Sequence, residues 1–221
     1  MDNSKFWTWF DQEAAPRLAH REVSFRKIFR HLDQFLTRSL VIVETGCVRK
    51  ADNWAGDGQS TVLFDRYIQC APHGGRLFTV DIDPSATSEC KRLVSPGVEV
   101  HTEDSVLFLS KLAAQFRATG ASIDLLYLDS FDLDWGNPAP SAAHHLKELA
   151  AISSAIRTDT LVVVDDAPCS SFLMIDDRQQ ATLVRPPTVS GKGLLVAEYA
   201  AAVNATLQFS HYQVAWTNMV R

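Results

Sequence analysis

Cysteine is scarce and scattered in this chain of 221 residues. The four present, Cys47, Cys70, Cys90 and Cys169, form no C-x-x-C pair. That spacing excludes a zinc ribbon and argues against a disulfide framework, so a reducing, cytoplasmic compartment is expected. No apolar run approaches the ~20 residues that a membrane span needs, and no cationic segment precedes an apolar stretch at the N-terminus. Neither a membrane partner nor a signal peptide is therefore expected. Positive charge is not in excess: 21 Lys and Arg stand against 26 Asp and Glu, a formal net charge of -5. Phosphate contacts require clustered basic residues, so nucleic acid is not an expected partner. There is no internal repeat, no low-complexity tract and no G-x-G-x-x-G.

What the chain does have is apolar patterning, with 46% hydrophobic and 21% charged residues. Its length suffices for one domain with a sizeable core. Phe25, Ile28, Phe29, Leu32, Phe35 and Leu36 recur at three- and four-residue steps and predict a helix. Residues 1–39 read as a helical N-terminal cap on a domain spanning 40–221. The aromatic cluster Phe6, Trp7, Trp9 and Phe10 reads as a short helix packed on the core; the alternative is a lid over a pocket or a contact in a homodimer.

From Leu40 onward strands and helices alternate. Strands are expected at 40–44, 76–81, 98–101, 123–128 and 161–164, with helices at 60–70, 85–93, 105–116 and 141–156. This order predicts an α/β fold with a Rossmann-like, doubly wound, mostly parallel sheet of six or seven strands and helices on both faces. Beyond Asp166 the period fades. Residues 167–190, with Pro168, Pro186 and Pro187, read as a long active-site loop or a short hairpin. Gly191-Lys192-Gly193 punctuates the chain, 194–203 reads as a helix, and an antiparallel strand near 213–217 should close one edge.

The most informative stretch is Leu161-Val162-Val163-Val164-Asp165-Asp166, a strand buried on both faces that ends in two carboxylates. The upstream strand ends in Asp129. Ligands of open α/β sheets bind beyond the carboxyl ends of the strands, so Asp129, Asp165 and Asp166 are expected to meet. Converging carboxylates repel unless protons or a cation intervene, and oxygen ligands suit Mg²⁺. The alternative is that each merely caps a turn or helix. Other strand ends carry Glu44-Thr45-Gly46, Asp81, Asp104-Ser105 and Ser130-Phe131-Asp132. The turn Gly56-Asp57-Gly58-Gln59-Ser60 opens the next helix.

In that order these residues resemble a class I S-adenosylmethionine-dependent methyltransferase. Asp129 with Asp165-Asp166 is similar to the metal-dependent small-molecule O-methyltransferases, the catechol and the macrolide- and aminocoumarin-sugar types. The resemblance implies that Glu44 and Gly46 lie along the methionine part of the cofactor, with Ser60 among the cofactor-binding residues. It implies that Asp81 holds the ribose and that Asp104 and Ser105 face the adenine; Phe131 falls where these enzymes often place an aromatic against the adenine, with ordinary core as the alternative. It also implies that Asp129, Asp165 and Asp166 hold Mg²⁺ against the hydroxyl of a small-molecule acceptor. Candidates for the base are Asp132, His144 and His145; either histidine has the alternative of a surface or capping role. The stretch 47–55, with Arg49, Lys50 and Trp54, is longer than in most relatives. A nicotinamide-dependent oxidoreductase and a non-catalytic nucleoside-binding protein are the other readings.

Overall fold

The computed structural model describes residues 2–57 and 59–220. Ahead of the first strand run α1 (Ser4–Trp9) and α2 (Glu22–Leu32), joined by π- and 3₁₀-helical turns. Then follow β1 (Leu40–Thr45), α3 (Trp54–Asp57), α4 (Ser60–Cys70), β2 (Gly75–Asp81), α5 (Pro84–Leu93), β3 (Glu99–Thr102), α6 (Ser105–Thr119) and β4 (Leu125–Leu128). The chain continues through α7 (Ala139–Ile152), β5 (Leu161–Val164), β6 (Cys169–Ile175), β7 (Ala181–Val189), α8 (Leu194–Ala202), β8 (Thr206–Ser210) and β9 (Val214–Thr217).

Seven strands form one sheet in the order β3-β2-β1-β4-β5-β9-β8. The pairs among β1 to β5 are parallel, while β9 runs antiparallel to β5 and to β8. This is the expected doubly wound, mostly parallel α/β sheet. The apolar runs of β4 and β5 have a simple cause. Leu125, Tyr127, Leu161 and Val163 face one layer with Phe25, Phe29 and Phe64, while Leu126, Leu128, Val162 and Val164 face another with Leu109, Leu149 and Val196. A central strand covered on both faces has no polar side to show.

Helix starts follow capping chemistry. Asp83 accepts from Ser85 N ahead of Pro84 in α5, and Asp104 accepts from Leu107 N in α6. The aromatic cluster is core: Phe6 and Phe10 are fully buried, and the Phe6 ring lies 4.5 Å from Phe29 and 4.8 Å from Tyr67. Among the described residues, no helix is long and apolar enough to cross a membrane.

Three expectations change. The strand near 213–217 forms, as β9, but it is not the edge. Val214, Ala215 and Trp216 are buried and pair with β5, whereas β8 exposes Thr206, Leu207 and Gln208 and takes the outer place. Residues 169–189 are not a loop but a two-stranded antiparallel sheet of their own. Pro186 and Pro187 read as breakers, yet in a two-stranded sheet both strands are edges, where a missing donor is tolerated. The helix expected at 141–156 starts two residues earlier and ends at Ile152, passing into a 3₁₀ turn over Ser153–Ala155.

Candidate active site

The parallel order reverses between β1 and β4, and there the connections leave a crevice at the carboxyl ends of the strands. A cavity of about 500 Å³ lies at that place. Its walls take Gly46 from the end of β1, Asp81 from β2, Asp104 and Ser105 from β3, Asp129 to Asp132 from β4 and Asp166 from β5. Ser60, Gly56 and Arg49 add the turn before α4, and Arg21, His144 and Lys192 complete it. Gly58 lies outside the described residues.

Gly46 is required by geometry. Its φ is +77°, and a Cβ there would sit 2.5 Å from the carbonyl oxygen of Asp129. The turn therefore passes against the next strand end with no room for a side chain. Gly46→Ala should lower stability by more than about 1 kcal/mol, because the strained φ and the clash add. Urea unfolding of the variant reads this directly, and an unchanged midpoint would contradict it.

Not every expected residue reaches the cavity. Glu44 is fully buried behind the wall, where its Oε2 accepts from Thr61 Oγ1 and Thr79 Oγ1, each at 2.7 Å. Thr61 Oγ1 also accepts from Val48 N, so Glu44 anchors the start of the 47–55 stretch rather than lining the cavity. Burial pushes its carboxyl up to about 7. His145 is likewise turned into the core: it is fully buried, its Nδ1 lies 2.7 Å from Ser141 O, and burial lowers it to about 4. Adjacent helical positions diverge by about 100°, so only one of the two histidines can face the cavity.

That one is His144. Its Nε2 lies 2.9 Å from Ser105 Oγ and 3.4 Å from Glu148 Oε1, and its ring is 5.2 Å from Phe131. Both Ser105 and Phe131 belong to the expected adenine side, so His144 sits there and not beside Asp129. Glu148, fully buried, accepts from Thr45 Oγ1 and Ser130 Oγ and ties α7 to the ends of β1 and β4. Burial alone would raise its carboxyl, yet His144 foremost, with His145, Ser105 and Ser130, holds it low. Asp132 is 81% exposed in its side chain and pairs with Arg49 at 3.0 Å, across the mouth.

The three strand-end carboxylates converge, as expected, but they do not present a metal site. Asp165 is fully buried and spent: it accepts from Arg21 Nε at 3.0 Å, from Tyr127 Oη at 2.7 Å and from Asp166 N at 2.7 Å. Asp166 accepts from Arg21 Nη2 at 3.1 Å and pairs with Lys192 Nζ at 3.1 Å. Asp129 Oδ1 accepts from Lys192 Nζ at 2.6 Å. Two protein cations thus stand where the sequence suggested Mg²⁺. Among the described residues, no three His, Cys, Asp or Glu are grouped to hold a metal ion. The donor set does not fit a divalent ion. Burial would raise Asp166, but Lys192 and Arg21 outweigh it and hold the carboxyl below its ordinary range. Asp129 is pushed up: burial, joined by Asp165 and Asp166, outweighs the opposing pull of Lys192.

Arg21 was not picked out in the sequence, since 144 positions separate it from Asp165. It also donates to the carbonyls of Ala55 and Gly56 and lies over the Tyr212 ring, which fastens the 47–55 stretch to the site. Lys192 was visible only as the middle of a Gly-Lys-Gly triplet.

No family model matches the chain, and no curated protein matches it by sequence. Solved structures match by fold, among them one titled "DhpI-SAH complex structure". It shares 11% identity over 97% of this chain and 93% of that one, at a TM-score of 0.45. A likeness of that size carries no argument about activity, which has to come from the site.

Proposed function

We propose that the chain is an S-adenosylmethionine-dependent methyltransferase acting on a hydroxyl of a small molecule. One observation carries the reading: the polar residues that follow five successive parallel strands line a single cavity at the switch point of the sheet. Gly46 offers close backbone approach for the amino-acid part of the donor, with Ser60 beside it. Asp81 stands at the end of β2, where a carboxylate can accept from both ribose hydroxyls. Asp104, Ser105, His144 and Phe131 supply a polar edge and a ring for the base. When bound, the donor supplies a methyl group on a sulfonium, which reacts by in-line displacement. Alignment of the two reactants is the main requirement.

The acceptor belongs at the ends of β4 and β5. Asp129 Oδ2 has no hydrogen-bond partner among the described residues, while Oδ1 is held by Lys192. That oxygen is the base we assign. As the acceptor oxygen bonds to the methyl carbon, the carbon–sulfur bond breaks with its pair going to sulfur, and the hydroxyl proton passes to Asp129. His144 and His145 do not serve, one being on the adenine side and the other in the core. No step runs through a metal.

Calorimetric titration with S-adenosylmethionine, and separately with NAD, tests the reading. The expected result is heat with the first alone. Asp81→Ala should weaken binding by roughly 10- to 100-fold, since hydrogen bonds to a charged acceptor are worth about 1.5–3 kcal/mol. Binding of NAD instead, or full affinity in the variant, would overturn it.

A further inference from the structure

Lys192 enters the site on a turn built to deliver it. Gly191 has φ +59°, and a Cβ there would lie 2.1 Å from the carbonyl oxygen of Asp166. Gly193 is also tight, with a Cβ position 2.7 Å from Ala167 and 2.9 Å from Val189. Lys192 N donates to Asp166 O, so the turn is fastened to the end of β5 itself. From there the side chain, 3% exposed, runs to the carboxylates. Its Nζ meets Asp129 Oδ1 at 2.6 Å, Asp166 Oδ2 at 3.1 Å and Asp129 O at 3.3 Å. An ammonium has three hydrogens, and three oxygens surround it. Burying a lysine this far is costly unless it is paired, and here every donor has a partner.

We propose that Lys192 is a resident cation that permanently takes the place of a divalent ion between Asp129 and Asp166, so that the acceptor site works without metal. The acceptor side of this proposal rests on the methyl-transfer reading above. The charge arithmetic favours it. Asp129, Asp165 and Asp166 carry up to three negative charges, and Arg21 with Lys192 supplies two positive ones, from two directions. A divalent ion would have to displace a buried ammonium or sit against it at close range, and like charges so placed repel. Lys192 also does one thing a metal does, since it holds Oδ1 of the Asp129 carboxylate and leaves Oδ2 without a partner among the described residues. It cannot do the other: a saturated ammonium has no open position at which to bind the acceptor oxygen. The acceptor therefore needs only one hydroxyl, not the two adjacent oxygens that chelation demands. Lys192 is accordingly a positioning residue, and the Gly-Lys-Gly turn is its holder.

Manganese alone is the probe. Electron paramagnetic resonance titration of the wild type should show no stoichiometric Mn²⁺ site tighter than about 1 mM, the weak end of protein cation sites. Lys192→Met removes the charge and should create one, at least tenfold tighter. Adding Asp129→Asn to that variant should abolish it. Lys192→Arg, which keeps the charge, should bind no Mn²⁺. S-adenosylmethionine calorimetry on the wild type, with EDTA and with Mg²⁺, should give the same affinity. A micromolar Mn²⁺ site in the wild type overturns the proposal. So does a folded Lys192→Met that binds no better than the wild type. Should Lys192→Met lose its cooperative melt, Lys192→Gln is read in the same way. A protein that ignores S-adenosylmethionine while following the Mn²⁺ pattern would defeat the proposed function and leave the resident cation standing.

Discussion

Arg21→Met should destabilise the protein by about 3–5 kcal/mol, the range for removing one partner of a buried ion pair. The reason lies in what is left behind. Asp165 is fully buried, and Arg21 is the only cation that reaches it among the described residues. Without the guanidinium, Asp165 keeps only the Tyr127 hydroxyl and the Asp166 amide, and Asp166 keeps Lys192 alone as a charged partner. The carbonyls of Ala55 and Gly56 lose their donor as well. Burial alone would lower the guanidinium, but Asp165 foremost raises it above its ordinary value, so it is charged throughout the accessible range. At about 2–4 °C per kcal/mol for a chain of this size, the midpoint should drop by roughly 6–20 °C. Arg21→Lys should recover only part of this, since a single ammonium cannot reach both carboxylates with a planar fork. A calorimetric melt within 2 °C of wild type, taking about 1 kcal/mol as the threshold, would show that the pair is not structural.

The second large effect depends on pH. Glu44 is fully buried, and burial raises its carboxyl from 4.5 to about 7. Its Oε1 has no hydrogen-bond partner among the described residues, which leaves an oxygen for the proton to occupy. Between those two values the folded chain binds more protons than the unfolded one. Stability must therefore fall as pH rises through that window. The contribution is fully present below about 4.5 and is lost by pH 7 and above. At 1.36 kcal/mol per pH unit it is on the order of 3 kcal/mol. Urea unfolding at pH 5 and pH 8 should show the difference, and Glu44→Gln, which cannot ionise, should remove most of it. Equal pH dependence in variant and wild type would mean that Glu44 ionises freely in the fold.

These two residues also mark where sequence reading reached its limit. The strand ends were legible because each is a local event: an apolar run buried on both faces stops where the first carboxylate appears. So Gly46, Asp81, Asp104, Asp129 and Asp166 were found on the cavity wall where they were expected. Which way a side chain turns from such an end is not local. Glu44 continues the face of Leu40 and Ile42, and Asp165 that of Leu161 and Val163, so both point into the layer beneath, whereas Gly46 and Asp166 follow with positive φ, where the chain has left the strand. The partners of Glu44 and Asp165, namely Thr61, Thr79 and Arg21, come from other elements. The hairpin at 169–189 was legible only as one of two readings, for another reason. Met174, Ile175 and Leu183 are exposed there, so apolar residues at these positions carry no burial period from which strands can be read.

By itself, then, the sequence determined the order of strands and helices, the doubly wound sheet and the acidic rim, since burial period, caps and glycine conformations act over a few residues. The tertiary structure alone decided what neutralises that rim. Three carboxylates in a row of motifs are as compatible with a metal as with a pair of basic side chains, because Coulomb energy depends on distance and not on sequence separation. Only folding brings Arg21 from before the sheet and Lys192 from behind the hairpin to within about 3 Å of Asp129, Asp165 and Asp166. That convergence turns a reading of Mg²⁺ into one of a resident ammonium and guanidinium.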